Sequence, residues 1–354
     1  MQVNWKNPQA SFEKLILVAD IGGTNSNLAL VGLNNDKFIL ILETVFASQA
    51  LNNLIEPLQL TLAEAQKVRP ELVPTQCCIS GAGPVENNVC TMTNLAWQID
   101  GNEIGEVLNI PTIVINDFLA ISYGIPTLDV NDSQQIHQIA HADGTRPQAQ
   151  SATKAVVGPG TGLGCSFLVP HQGKYIPASS EGGHIAFAAF DQDSQEFVEY
   201  MRQKIGDWPG VEPLVSGTGI ANMYDWWQAT RELPDTPAWK EIAQADSTDR
   251  PRLISILSKN DETAAQMMRF FVKLLARFAS DVAAFTLPLG GLYLAGGVAQ
   301  KELHWLEADN LFSQFFVQNY NPNLVNVLKQ VPIYLIKDYS ISLYGAANAS
   351  INLQ

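Results

Sequence analysis

LVADIGGTNSNLALVG, residues 17–32, begins and ends as a β-strand and is interrupted at its centre. Val18, Leu28 and Leu30 suit a buried sheet, whereas Asp20, Gly22, Gly23, Thr24 and Asn25 are poor strand formers. A hairpin turn is the plain reading, because Gly-Gly between two apolar runs is an ordinary hairpin signal. A phosphate seat is the sharper one. Two residues without side chains expose successive backbone N–H groups, Thr24 and Asn25 add donors, and Asp20 can hold a metal ion through water.

The composition bears on that choice. The 354 residues are long enough for two domains, and with 46% hydrophobic and 16% charged residues the chain is globular. A net charge of −14 argues against nucleic acid as a partner, since phosphate backbones are bound with Lys and Arg. Any anionic ligand must then be held locally, by backbone amides and a metal ion. Met1 to Glu13 has no apolar run of a secretory signal, and Met267 to Val298 is broken by Arg269, Lys273, Arg277 and Asp281, so no membrane partner is expected. Cys77, Cys78, Cys90 and Cys165 lack disulfide or zinc-ribbon spacing, which suits a reducing cytoplasm.

Strands are expected near 38–46, Gln76–Ile79 and Thr112–Ile115, and a helix near 49–67. A long helix over Thr263–Phe285 presents Met267, Phe270, Phe271, Leu274, Leu275, Phe278, Val282 and Phe285 on one apolar face. Residues 131–150 read as surface loop with some helix, and the HQIAH pair His137 and His141 lacks the glutamate of a metalloprotease helix. Strands mixed with helices, an early hairpin included, indicate an α/β protein with mixed sheets.

Further clusters repeat the opening design of a strand-like run ending on small or polar residues. They are GAGPVENNVCTMTNLAW with Asn94, TIVINDF with Asn116 and Asp117, GPGTGLG at 158–164, EGGH with Glu181 and His184, and VEPLVSGTG with Glu212. Neither GxxxxGK[ST] nor GxGxxG is present. The amide and carboxylate set suits the many hydroxyls of a sugar.

In that order, together with AGGV at 295–298, these motifs resemble the bacterial glucokinase family, of the hexokinase–actin–heat-shock ATPase superfamily. The similarity runs from about Leu15 to the C-terminus. It implies a two-domain, actin-like (ribonuclease H-like) α/β fold with an active-site cleft between the domains. The expected division is 1–127 plus 338–354 for the smaller domain and 128–337 for the larger. The implied activity is ATP-dependent phosphorylation of D-glucose at its 6-hydroxyl, with ATP and Mg²⁺, in a cytoplasmic homodimer.

By this resemblance, Ala19, Asp20, Ile21, Gly22, Gly23, Thr24 and Asn25 form the first phosphate-binding hairpin, with Asp20 toward Mg²⁺ through water. Gly160, Thr161 and Gly162 belong to the second, while Gly217, Gly219, Gly296 and Gly297 lie on the nucleotide side. Asp117 is the catalytic base. Asn94, Asn116, Asp117, Glu181, His184 and Glu212 bind the sugar. EGGH is followed by no cysteine, so His184 is assigned to the sugar rather than to zinc. The family's Arg two residues after GGTN is here Asn27, and the segment before the C-terminal Gly-Ala also differs. A kinase of mannose, fructose or N-acetylhexosamine is the alternative. A sugar-sensing regulator and an actin-like filament protein are the readings from other classes.

Overall fold

The computed structural model describes residues 1–353. Its contacts divide the chain into two compact units, Met1–Asp129 with Asp338–Gln354, and Val130–Lys337.

The first unit carries β1 (Gln2–Trp5), β2 (Lys14–Ile21), β3 (Asn25–Asn34), β4 (Lys37–Ala47), β5 (Gln76–Gly81), β6 (Val85–Glu86), β7 (Val89–Thr91), β8 (Gln98–Asp100) and β9 (Thr112–Asn116). Six of them form one mixed sheet, in the order β1-β4-β3-β2-β5-β9, and β6, β7 and β8 form a small antiparallel one. The alternation along β2 shows why its sequence is a continuous apolar run. Ile16 and Val18 pack with Ala29, Val31, Cys78 and Ile115 beneath the helices Asp117–Gly124 and Ile341–Asn352. Leu15, Leu17, Ala19 and Ile21 pack on the other face with Leu58 and Ala65 of the helix Ile55–Val68. Each such aliphatic side chain contributes about 1.5–3 kcal/mol by burial.

Asp20 falls on the Val18 face, where a lone carboxylate is costly. Its register partner in β5 is Ser80, and Ser342 reaches it from the C-terminal helix. That approach requires glycines. A Cβ on Gly345 would lie 1.7 Å from the Ala120 carbonyl oxygen, and one on Gly124 would lie 2.5 Å from Ile341.

The second unit carries β10 (Ile136–Ile139), β11 (Lys154–Pro159), β12 (Leu163–His171), β13 (Lys174–Ala178), β14 (Leu292–Leu294) and β15 (Ile333–Ile336), in the order β10-β15-β14-β11-β12-β13. β11, β14 and β15 are parallel, so their C-terminal ends share one edge of the sheet. Ligands of open α/β sheets collect at such an edge. The helix Glu262–Thr286 buries Met267, Phe270, Phe271, Leu274, Leu275, Phe278 and Val282 in the core of this unit.

Three details differ from the sequence reading. The helix expected from 49 starts at Ile55, because Pro57 has no N–H and is tolerated only in a first turn. Residues 48–50 instead make a 3₁₀ turn whose Ser48 hydroxyl donates to the Gly22 carbonyl. Within 131–150 the regular element is the strand β10, antiparallel to β15, with Ile136 and Ile139 buried. His141 lies just beyond it, buried, its Nε2 2.9 Å from the Val331 carbonyl oxygen, and burial holds its pKa below the ordinary value. Phe285 is 85% exposed, since the helix ends one residue later, beyond its packing partners.

Gly345 supplies a test. In an open helix interior Gly→Ala stabilises by about 1 kcal/mol. Here Gly345→Ala drives a methyl into a carbonyl and is expected to destabilise by about 1–3 kcal/mol, read from urea unfolding. A stabilised variant would contradict the close helix packing.

Candidate active site

The turn between β2 and β3 closes with the Gly22 N–H donating to the Asn25 carbonyl at 3.0 Å. Neither Gly22 nor Gly23 has a positive φ, so left-handed backbone is not what selects them. What they provide is bare backbone: a Cβ on Gly23 would sit 3.2 Å from the Asn94 Cβ. The N–H groups of Gly23 and Thr24 find no acceptor among the described residues, and Thr24, Asn25 and Asn94 are exposed. Ala19 and Ile21 are buried strand residues that hold the turn from behind.

Behind the turn, Asp20 receives the Ser80 hydroxyl on Oδ1 at 2.8 Å and the Ser342 hydroxyl on Oδ2 at 2.7 Å. Burial raises its pKa, against the pull of those two donors. Asn116 ends β9 and caps the next helix, its Oδ1 accepting the N–H groups of Phe118 and Leu119 while its Nδ2 donates to the Gly83 carbonyl. Asp117 is the first residue of that helix, and its Oδ1 accepts the Phe118 N–H at 2.8 Å. Burial, then the charge of Asp20, raises the Asp117 pKa to about 6.

This unit has five basic side chains, Lys6, Lys14, Lys37, Lys67 and Arg69. None adjoins the turn; Lys14 and Lys37 lie at the opposite end of the hairpin. Asn27, across from Asp20 in β3, brings no charge. Two mutually repelling carboxylates without a basic neighbour suit a bound cation. Among the described residues, no three of His, Cys, Asp and Glu are grouped to cage one. Mg²⁺ fits such a place, because it is usually held by one or two carboxylates together with substrate phosphates and water.

The second unit repeats the design. In the β11–β12 turn the Gly160 N–H donates to the Gly162 carbonyl at 2.8 Å, while those of Thr161 and Gly162 find no acceptor among the described residues. The turn is braced from the helix Gly217–Thr230, whose Gly217 N–H donates to the Gly160 carbonyl and Thr218 N–H to the Thr161 carbonyl. The Gly219 N–H is capped by the Ser216 hydroxyl. The donors of Gly217 and Gly219 are therefore spent inside the protein, so these glycines shape the turn instead of offering their amides. Gly296, with φ +83°, opens the helix Gly296–Lys301 after β14, so close to the Pro159 carbonyl that no side chain fits; Gly297 beside it faces open space.

Glu181 precedes and His184 ends the one-turn 3₁₀ helix Gly182–His184, with side chains 91% and 64% exposed and 3.7 Å apart. The Glu212 carboxylate accepts the Leu163 N–H at 2.8 Å. The sequence reading missed Ser80 and Ser342, because a serine next to a core run carries no signal of its own.

Each unit by itself carries an amide-rich turn on glycine beside carboxylates, and a family model described as Glucokinase matches residues 17–352. The chain belongs to the glucokinase family. A glucokinase of Nostoc sp. is 31% identical, with 96% of this chain and 99% of that one covered. Among solved structures, the glucokinase of an Antarctic psychrotroph superposes with a TM-score of 0.79 at 29% identity, covering 96% of this chain and 99% of that one. The Balamuthia mandrillaris glucokinase, solved in complex with glucose, shares the fold with a TM-score of 0.72 at 21% identity, over 96% and 94% of the two chains. Among the described residues no helix is long and apolar enough to cross a membrane.

The raised Asp117 pKa has a stability consequence. An acid whose folded pKa lies above its unfolded value favours the fold at low pH, and that contribution is lost as pH rises through the folded pKa, about 6. Asp117→Asn, which cannot ionise, is expected to raise Tm at pH 8 by the equivalent of about 1–3 kcal/mol and to leave it nearly unchanged at pH 4. Equal effects at both pH values would contradict the raised pKa that burial and the charge of Asp20 give this group.

Proposed function

We propose that this member of the glucokinase family is an ATP:hexose 6-phosphotransferase that moves the γ-phosphoryl group of ATP to the 6-hydroxyl of D-glucose, with Asp117 as general base. The observation that carries this reading is the state of Asp117. One carboxylate oxygen is fixed by the Phe118 N–H at the start of a helix, and a pKa of about 6 leaves the group ionised at neutral pH yet basic enough to accept a proton. Its Oδ2 takes the proton of the 6-hydroxyl as that oxygen attacks the γ-phosphorus and ADP departs.

The remaining residues bind and orient. Glu181, His184, Glu212, Asn94 and the spare amide hydrogen of Asn116 meet sugar hydroxyls, which both donate and accept. The unpaired amides of Gly23 and Thr24, and those of Thr161 and Gly162, receive phosphate oxygens, while Gly296 and Gly297 give the nucleotide bare backbone to lie against. Asp20, with its two serines, would hold Mg²⁺ through water. When bound, the ion supplies neutralisation of the phosphate charge that this unit's basic side chains are too remote to provide. All four cysteines are free and buried, in keeping with a reducing cytoplasm.

Steady-state kinetics with MgATP and glucose test the assignment. Asp117→Asn is expected to lose about 10²–10⁴-fold in kcat while glucose affinity changes far less. In the parent enzyme kcat/KM for glucose is expected to fall tenfold per pH unit below about 6. Near-normal kcat in the variant would reduce Asp117 to a helix-start residue.

A further inference from the structure

Glu212 stands where three turns of the second unit meet. Its backbone N–H donates to the Gly183 carbonyl at 2.8 Å, which ties it to the Glu181–His184 turn. Its carbonyl accepts the Ser216 hydroxyl at 2.7 Å, and Ser216 caps the helix that braces the β11–β12 turn. Its side chain reaches that turn directly, Oε2 accepting the Leu163 N–H. The fit leaves no room for error. A Cβ on Gly162 would come within 2.4 Å of Oε2, and one on Gly183 within 2.3 Å of the Leu163 carbonyl oxygen.

Leu163 directly follows Thr161 and Gly162, whose N–H groups are the unpaired donors of the turn. One oxygen of the carboxylate thus sets the edge of the phosphate seat. The other, Oε1, has no hydrogen-bond partner among the described residues. We infer that Glu212 is a positioning residue that couples the sugar to the nucleotide: a sugar hydroxyl on Oε1 fixes the carboxylate whose Oε2 fixes the β11–β12 turn. This rests on the sugar contact assigned to Glu212 above.

Two physical effects give the coupling a sign. Ordering the side chain and turn once, on sugar binding, leaves less entropy for the nucleotide to lose. A carboxylate beside the seat also repels phosphate, and a hydroxyl donated to Oε1 weakens that repulsion. Both make glucose tighten nucleotide binding, and linkage makes the effect reciprocal.

The test is calorimetric binding of the non-hydrolysable β,γ-imido analogue of ATP, with Mg²⁺, with and without saturating glucose. It is run on the parent chain, Glu212→Gln and Glu212→Ala, with amide hydrogen exchange followed at Leu163. In the parent chain glucose is expected to tighten the analogue about five-fold or more and to slow Leu163 exchange. In Glu212→Ala, at glucose levels that saturate the variant, the ratio falls to near one and Leu163 exchanges faster, regardless of glucose. Glu212→Gln keeps an oxygen for Leu163, so exchange without sugar stays slow while the glucose response shrinks. If Glu212→Ala fails to fold, the Gln variant alone carries the test. Variants with weakened glucose binding but the parental ratio and parental Leu163 exchange would overturn the inference. So would a parent chain that turns over glucose yet binds the analogue equally with and without it. A parent chain with no glucose turnover would remove the proposed function, and the inference with it.

Discussion

A carboxylate buried on a sheet face between two serine hydroxyls governs the first unit. Asp20 interrupts an apolar strand, and leaving it without partners would cost several times what one neighbouring leucine contributes. Ser80 answers from the adjacent strand, as the parallel register dictates. Ser342 answers from 322 residues away along the chain. The last helix must therefore return to the N-terminal sheet, and it comes close enough because Gly345 and Gly124 have no side chains to hold it off. The same hydrogen bonds hold Asp20 where its charge is felt at Asp117, so the polar break in the fold is also where the proposed chemistry starts.

In the proposed reaction each unit offers phosphate the same kind of turn. A chain of net charge −14 that puts no basic side chain beside the β2–β3 turn cannot rely on lysine and arginine for phosphate. Both turns instead spend one N–H on closing themselves and leave two successive N–H groups unpaired, Gly23 with Thr24 and Thr161 with Gly162. Fixed backbone donors need little reorganisation when charge moves during phosphoryl transfer, which is where such sites gain most of their rate. Crowding shows in Asp117, whose pKa is raised to about 6 by burial first and by the charge of Asp20 second.

Much of this was legible in the sequence, for reasons specific to the residues. An aspartate, two glycines and two small polar residues inside a core strand mark a turn, and the later clusters weigh toward a phosphate seat over an ordinary hairpin. The order of the later clusters carries the family. What the sequence hid was geometry that depends on distant partners. Asn116 reads as a sugar ligand, yet most of its amide is committed to capping a helix and to Gly83. Gly217 and Gly219 read as lying on the nucleotide side, and only the structure shows that their N–H groups brace the neighbouring turn and its cap. Phe285 fits the apolar periodicity, but periodicity cannot register where the packing partner ends. Ile136 and Ile139 sit three apart, a spacing that suits a helix, and only pairing with β15 makes that segment a strand.

The central claim is that the chain delivers phosphate to one sugar oxygen and not to water. Phosphorus NMR of a reaction containing the purified protein, MgATP and glucose tests it most directly. A phosphomonoester signal split by two protons of the sugar's C6 methylene, growing in step with ADP, is the predicted result. Inorganic phosphate growing with ADP while the sugar stays unmodified would contradict the account.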